Sequence, residues 1–183
     1  MGAYVALLRG INVSGHNMIK MADLKVVFDE MGLYDINTYL QSGNVVFSSD
    51  LKSCSELESA IADNVHNSFG FDIKVKVIEK EPFQKVFLDN PFSKDTEIDT
   101  KQLYYIHLMG QPDLTVFKEL QNDEKIPEKM SLVGGIIYVQ YVNGYGRSKL
   151  HGNIFERKLK VSATARNHNT MKNLSKMLDS FEE

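Results

Sequence analysis

Between residues 3 and 79 the apolar side chains switch repeatedly between a strand period and a helix period. Tyr4 to Leu8 is a short, nearly all-apolar run that stops at Arg9-Gly10, the pattern of a strand covered on at least one face. From Met21 the apolar positions are Leu24, Val27, Phe28 and Met31, one face of a helix, with Gly32 placed to close it. Ile36 to Leu40 and Val45 to Phe47 are β-rich and are joined by Gln41-Ser42-Gly43-Asn44, which reads as a hairpin in which Gly43 supplies a positive φ. Ser53-Cys54-Ser55-Glu56 has capping-box spacing, and Leu57, Ala60, Ile61, Val65 and Phe69 form the apolar stripe of a second helix ending at Gly70. Ile73, Val75 and Val77 alternate with Lys74 and Lys76 in a strand with one solvated face.

The resulting order, βαββαβ, is that of a ferredoxin-like split βαβ unit: a four-stranded antiparallel sheet with helices on one face. Residues 80 to 100 carry Pro82 and Pro91 around Phe83, Val86, Phe87 and Leu88, a short helix followed by a polar linker. A second series then begins. Gln102 to Met109 is apolar at both parities and is expected to be a central strand. A helix follows from Pro112, and Gly134-Gly135 turns a hairpin between Lys129–Val133 and Ile136–Tyr141. Leu150, Ile154, Phe155 and Leu159 mark a helix, and Lys160 to Ala163 a short closing strand. A last helix carries Met171, Leu174, Met177 and Leu178 on one face, and the acidic end, Phe181-Glu182-Glu183, is expected to fray. The fold class expected is therefore α+β with two ferredoxin-like subdomains, residues 1–79 and 101–183, joined by residues 80–100, the terminal helix lying with the second.

The length of 183 residues, with 43% hydrophobic and 25% charged side chains, fits a globular chain. A net charge of −3 gives no global field toward nucleic acid or anionic lipid. The charge is asymmetric, however: Tyr145 to Lys176 holds eight cations and one anion, Glu156, a net +7. A lone cysteine, Cys54, and the absence of a signal-peptide pattern point to the cytoplasm, and no apolar run is long enough to span a bilayer.

Candidate chemistry lies at the ends of elements. Arg9-Gly10-Ile11-Asn12-Val13-Ser14-Gly15-His16-Asn17 has the glycine spacing of a phosphate loop, but His16 and Asn17 stand where a nucleotide-binding loop needs Lys and Ser/Thr, which argues against an NTPase. What survives is a loop in which Arg9, Asn12, Asn17 and Lys20 offer donors to an anion, or else a tight turn whose asparagines cap the backbone. The polar loop from Asn143 to Lys149 carries Arg147, Lys149 and Tyr145, suited to a phosphate or a base, or simply a long surface connection. Ahead of the last helix, Asn167 or Asn169 is placed to cap it, with Arg166 at its positive end or paired with a carboxylate of the other subdomain. Tyr4 stands where RNA-recognition domains place a stacking aromatic, although Asn44-Val45-Val46-Phe47 lacks the aromatics and leading cation of their third strand. The five histidines show no zinc spacing, so no metal is expected, and no cofactor motif is present. Cys54 has no histidine or aspartate near it in sequence to activate a thiolate, and no catalytic residue can be named.

Several of these segments together resemble an uncharacterised bacterial family, domain-of-unknown-function family 1697. The resemblance is carried by Tyr4-Val5-Ala6-Leu7-Leu8-Arg9-Gly10-Ile11-Asn12-Val13, by Met21-Ala22-Asp23-Leu24, by Thr38-Tyr39-Leu40-Gln41-Ser42-Gly43-Asn44-Val45-Val46-Phe47, and by Thr164-Ala165-Arg166-Asn167 with Asn169-Thr170. It implies two ferredoxin-like subdomains and brings no established reaction or substrate. Ser14 replaces the usual first glycine of a Gly-Gly pair, implying that position 14 needs no extreme φ. His168 replaces the usual tryptophan, so no indole stacks there. The function expected is binding of a small anionic ligand, phosphorylated ones included, at polar loops near the subdomain interface. Arg9, Lys20 and Arg166 would supply charge and Asn12, Asn17, Gln41, Ser42, Asn44, Asn167 and Asn169 neutral hydrogen bonds. Nucleic-acid binding through residues 145–176 is the alternative, and a protein-interaction module the third; the oligomeric state stays open.

Overall fold

A computed structural model describes residues 1–51, 53–95 and 97–181; the expected fraying of Glu182 and Glu183 lies outside them, whereas Phe181, expected to fray with them, is buried. The elements run β1 (Gly2–Arg9), α1 (Met21–Glu30), β2 (Tyr34–Tyr39), β3 (Asn44–Ser49), α2 (Cys54–Phe69), β4 (Lys74–Glu79) and α3 (Lys80–Leu88). Then follow β5 (Leu103–Leu108), α4 (Leu114–Gln121), β6 (Lys129–Val133), β7 (Ile136–Gln140), α5 (Gly152–Leu159), β8 (Ala163–Asn167) and α6 (His168–Asp179). The sheets are four-stranded and antiparallel, ordered β2-β3-β1-β4 and β6-β7-β5-β8, so each half has the ferredoxin-like arrangement. The chain divides into two compact units, one of Met1–Lys85 with the residues from Asn173 onward, the other of Val86–Lys172. The division cuts α3 and α6, so the last turns of α6 belong with the first unit.

In the first unit Tyr4, Ala6 and Leu8 alternate along β1 onto the face shared with Val45 and Phe47 of β3 and Val75 and Val77 of β4. Leu24 and Phe28 of α1 and Leu57, Ile61 and Val65 of α2 close this core. Tyr4 stacks on Phe47 at 5.6 Å, donates its hydroxyl to the Leu51 carbonyl at 3.0 Å and is only 2% exposed. That corrects the RNA-recognition reading, since a platform for bases must lie on a solvated face and Tyr4 points under the helices. Gly43 closes the β2–β3 hairpin at φ +73°, and a Cβ there would stand 2.7 Å from Leu8 Cβ and 2.8 Å from Ile11 Cδ1.

The core of the second unit sets Ile106, Leu108, Ile137, Val139 and Ala163 against Phe117, Leu120, Phe155 and Leu159. β5 pairs with both β7 and β8, as the double-parity apolar pattern predicts. α4 starts two residues after Pro112, where the Asp113 carboxylate accepts from Thr115 N and Val116 N at 3.0 and 3.2 Å. The closing strand is corrected: Lys160 is the left-handed C-cap of α5, φ +54°, and the strand begins at Ala163. Val161 and Ser162 turn the chain before Leu108 pairs with Ala163, so Thr164 to Asn167 are strand residues rather than a connector.

Candidate functional site

The first unit gathers two of the predicted loops. Asn12 Nδ2 donates to the Ile19 carbonyl at 2.9 Å and to the Gln41 carbonyl at 2.7 Å, while its Oδ1 accepts from Ile19 N at 2.8 Å. Asn17 Nδ2 donates to the Gly10 carbonyl at 3.1 Å, and the Asn12 amide donates to the Asn17 carbonyl, also at 3.1 Å. Asn44, fully buried, donates to the Tyr39 carbonyl at 2.8 Å and to Ser42 Oγ at 2.9 Å. These amides fasten the loop and the hairpin to each other, the backbone-capping role the sequence reading held open. Asn12, Ser14 and Asn17 all have φ near +50°. The implication drawn at position 14 is thereby corrected: the loop does need a left-handed residue there, and Ser14 adopts that conformation without glycine's freedom. Arg9 ends β1 half-buried, and Lys20, exposed, precedes α1 with no side-chain cap bond.

In the second unit Arg166 lies on β8, beside Tyr105 of β5, and is 8% exposed. Its Nη1 donates to Thr164 Oγ1 at 2.7 Å and to the Ala165 carbonyl at 2.8 Å. Burial pushes the guanidinium pKa down to about 10, which leaves it cationic at neutral pH. Arg166 directly precedes Asn167, so it stands ahead of α6 while belonging to strand β8. Asn167 does cap α6, its Oδ1 accepting from Thr170 N at 2.8 Å; Asn169 is exposed.

Arg147 and Lys149 meet in a cleft of about 460 Å³ with Lys125 and Lys158 on its walls, Ile126, Pro127, Leu150 and Ile154 as apolar lining, and one acid, Glu128. The loop that carries them is pinned. Tyr145 stacks on Tyr104 with centroids 4.6 Å apart and planes at 10°, and stands edge-on to Tyr141 and His151 at 5.0 and 5.1 Å. Gly144 turns the chain at φ +84°, and buried Ser148 accepts from Leu150 N at 2.9 Å. Lys158 belongs to the basic segment 145–176, whereas Lys125 lies outside it and only the fold brings it to the cleft.

Cys54 opens α2, and its thiol donates weakly to Glu79 Oε1 at 3.9 Å. Burial, then Glu79 and Glu58, push its pKa up, opposite to what a nucleophile needs. Among the described residues no group of three or more His, Cys, Asp or Glu side chains could hold a metal, and no helix is long and apolar enough to cross a membrane.

A second constellation was invisible in the sequence. Asn90 Oδ1 accepts from Phe92 N at 2.9 Å and its Nδ2 donates to Tyr105 Oη at 3.1 Å; Tyr105 in turn meets His168 Nδ1 at 2.8 Å. Residues 15 and 63 positions apart form this chain, so no spacing signals it.

Architecture and sites define an α+β protein of two ferredoxin-like subdomains. The family described as protein of unknown function (DUF1697) matches residues 1–138, and the chain belongs to that family. No curated protein matches. Among solved structures, a conserved bacterial protein of Streptococcus pneumoniae is similar over 97% of this chain and 98% of its own, with a TM-score of 0.75 and 23% identity, a likeness of fold.

Proposed function

We propose that the protein binds a small anionic ligand, phosphorylated metabolites included, in the Arg147–Lys149 cleft of its second unit. The observation that supports this is the convergence of four cations, Lys125, Arg147, Lys149 and Lys158, on one cleft of about 460 Å³. That volume suits a metabolite, and clustered positive charge over an apolar floor suits a phosphate attached to a less polar body. Arg147 would supply planar, two-pronged recognition and the lysines mobile point charges. Glu128 offers an acceptor for a ligand hydroxyl or amine. The lone Cys54 fits a reducing cytoplasm.

The test is thermal unfolding of the full chain with inorganic phosphate, ribose 5-phosphate and nucleoside monophosphates. A ligand at 100 times its Kd should add about 2.7 kcal/mol, seen as a rise of several degrees in Tm. The rise should disappear in Arg147→Ala with Lys149→Ala. Arg9→Ala with Lys20→Ala tests separately whether the loop of the first unit takes part. The net +7 of residues 145–176 supports a second reading, nucleic-acid binding. In that case short oligonucleotides would stabilise the chain, with affinity falling steeply with salt. No shift with any phosphate, or an equal shift in the double variant, rejects the cleft.

A further inference from the structure

A separate cavity in the second unit, of about 260 Å³, lies where the segment after α3 passes β5 and the start of α6. Phe87, Phe92, Ile98 and Leu103 give it apolar walls, and Ser93, Asp95 and Thr100 line it beside Asn90, Tyr105 and His168. Among the described residues no lysine or arginine lines it, and Asp95 is its one carboxylate. Its chemistry is therefore unlike that of the cationic cleft.

The hydrogen bonds orient Asn90 and favour one arrangement of the protons. Asn90 Oδ1 is held by Phe92 N, which orients the amide so that Nδ2 donates to Tyr105 Oη. The phenol's single proton is then available to His168 Nδ1, 2.8 Å away. Burial raises the Tyr105 pKa to about 12, so the phenol keeps that proton, while burial and Lys172 lower the His168 pKa and favour its neutral form. A neutral imidazole that accepts at Nδ1 must carry its hydrogen on Nε2. Phe87 stands edge-on to both rings, at 5.9 Å from Tyr105 and 5.8 Å from His168, which holds the imidazole in place. The result is a pre-oriented N–H donor on a ring that lines an aromatic-walled cavity.

We infer that this cavity is a ligand site for an uncharged planar ring bearing an amide or lactam edge. His168 Nε2–H donates to the ring's carbonyl, Asp95 accepts from the adjacent N–H, and Phe87 and Phe92 flank the ring. The size limits the ligand to a single ring system, since about 260 Å³ falls below the roughly 300 to 1,000 Å³ of drug-sized sites. An anionic edge is disfavoured next to the Asp95 carboxylate, which repels it. Free oxopyrimidine and oxopurine bases and nicotinamide share this chemistry. Asn90 and Tyr105 act as positioning residues, through the tautomer they impose.

The experiment is an NMR titration of the full chain with uracil, hypoxanthine and nicotinamide, and with nicotinate as the charged counterpart of nicotinamide. Shifts at Phe87 and His168 with the bases alone, or with nicotinamide alone, would identify the source of the ring. Nicotinate should bind about tenfold more weakly than nicotinamide, the scale of one lost or opposed polar contact. His168→Phe should weaken binding about tenfold, and His168→Gln, which keeps an N–H, should stay within about threefold of the wild type. A long-range nitrogen–proton spectrum of the free protein should show His168 protonated at Nε2, a readout that needs neither ligand nor variant. The inference is overturned if none of the three neutral rings shifts these residues, if nicotinate binds as well as nicotinamide, if His168→Phe folds and binds like the wild type, or if His168 carries its proton on Nδ1.

Discussion

Gly43 shows at the scale of one residue how a short motif can carry a tertiary constraint. Its φ of +73° favours glycine, and Leu8 and Ile11 occupy the space a methyl group would take. Gly43→Ala combines a left-handed strain with overpacking and should lower stability by about 2 kcal/mol or more, measured as a fall in the urea midpoint at unchanged slope. The asparagines around it are of the same kind. Asn12 and Asn44 satisfy backbone carbonyls of neighbouring turns, so their presence beside glycines signals loop construction before it signals a ligand. Arg166 gives the opposite lesson. Its charge was plain in the sequence, but its burial followed only from the extension of β8 to Asn167.

At the scale of elements, the caps were legible because each satisfies donors within three residues of itself. Ser53 Oγ accepts from Glu56 N at 3.3 Å at the start of α2, and Gly70 ends that helix at φ +79°. Ser53→Ala should cost about 1 kcal/mol, checked by chemical denaturation, with exposed Ser68→Ala near the far end of the same helix as a control. The Gly134-Gly135 hairpin was equally legible, both residues having positive φ. β8 was misplaced because Val161 and Ser162 look as strand-like as Thr164 and Ala165. Only pairing with β5 decides which of them enters the sheet.

At the scale of the molecule, the first unit is completed from the far end of the chain. Leu174, Leu178 and Phe181 are buried; Asn173 donates to Tyr39 Oη at 2.9 Å, Gln84 to Asp179 Oδ1 at 2.6 Å, and Lys80 to the Phe181 carbonyl at 2.8 Å. A chain ending at Lys172 should therefore lose several kcal/mol, at about 1.5 to 3 kcal/mol per buried apolar side chain. Hydrogen exchange should show the loss in β1 and β3 although the cut lies well over a hundred residues away in sequence. Most elements, and the hairpin pairings of β2 with β3 and β6 with β7, were legible in the amino-acid sequence alone. Periodic burial and turn chemistry are local, and antiparallel neighbours joined by tight turns have few alternatives. Tertiary structure alone decided which polar side chains became structural and which line a cleft. It placed Tyr4 under the helices, brought Lys125 to Arg147 and Lys149, and joined Asn90, Tyr105 and His168. The physical reason is that a side chain's role depends on what covers it, and in a two-unit α+β chain that cover comes from residues far away in sequence.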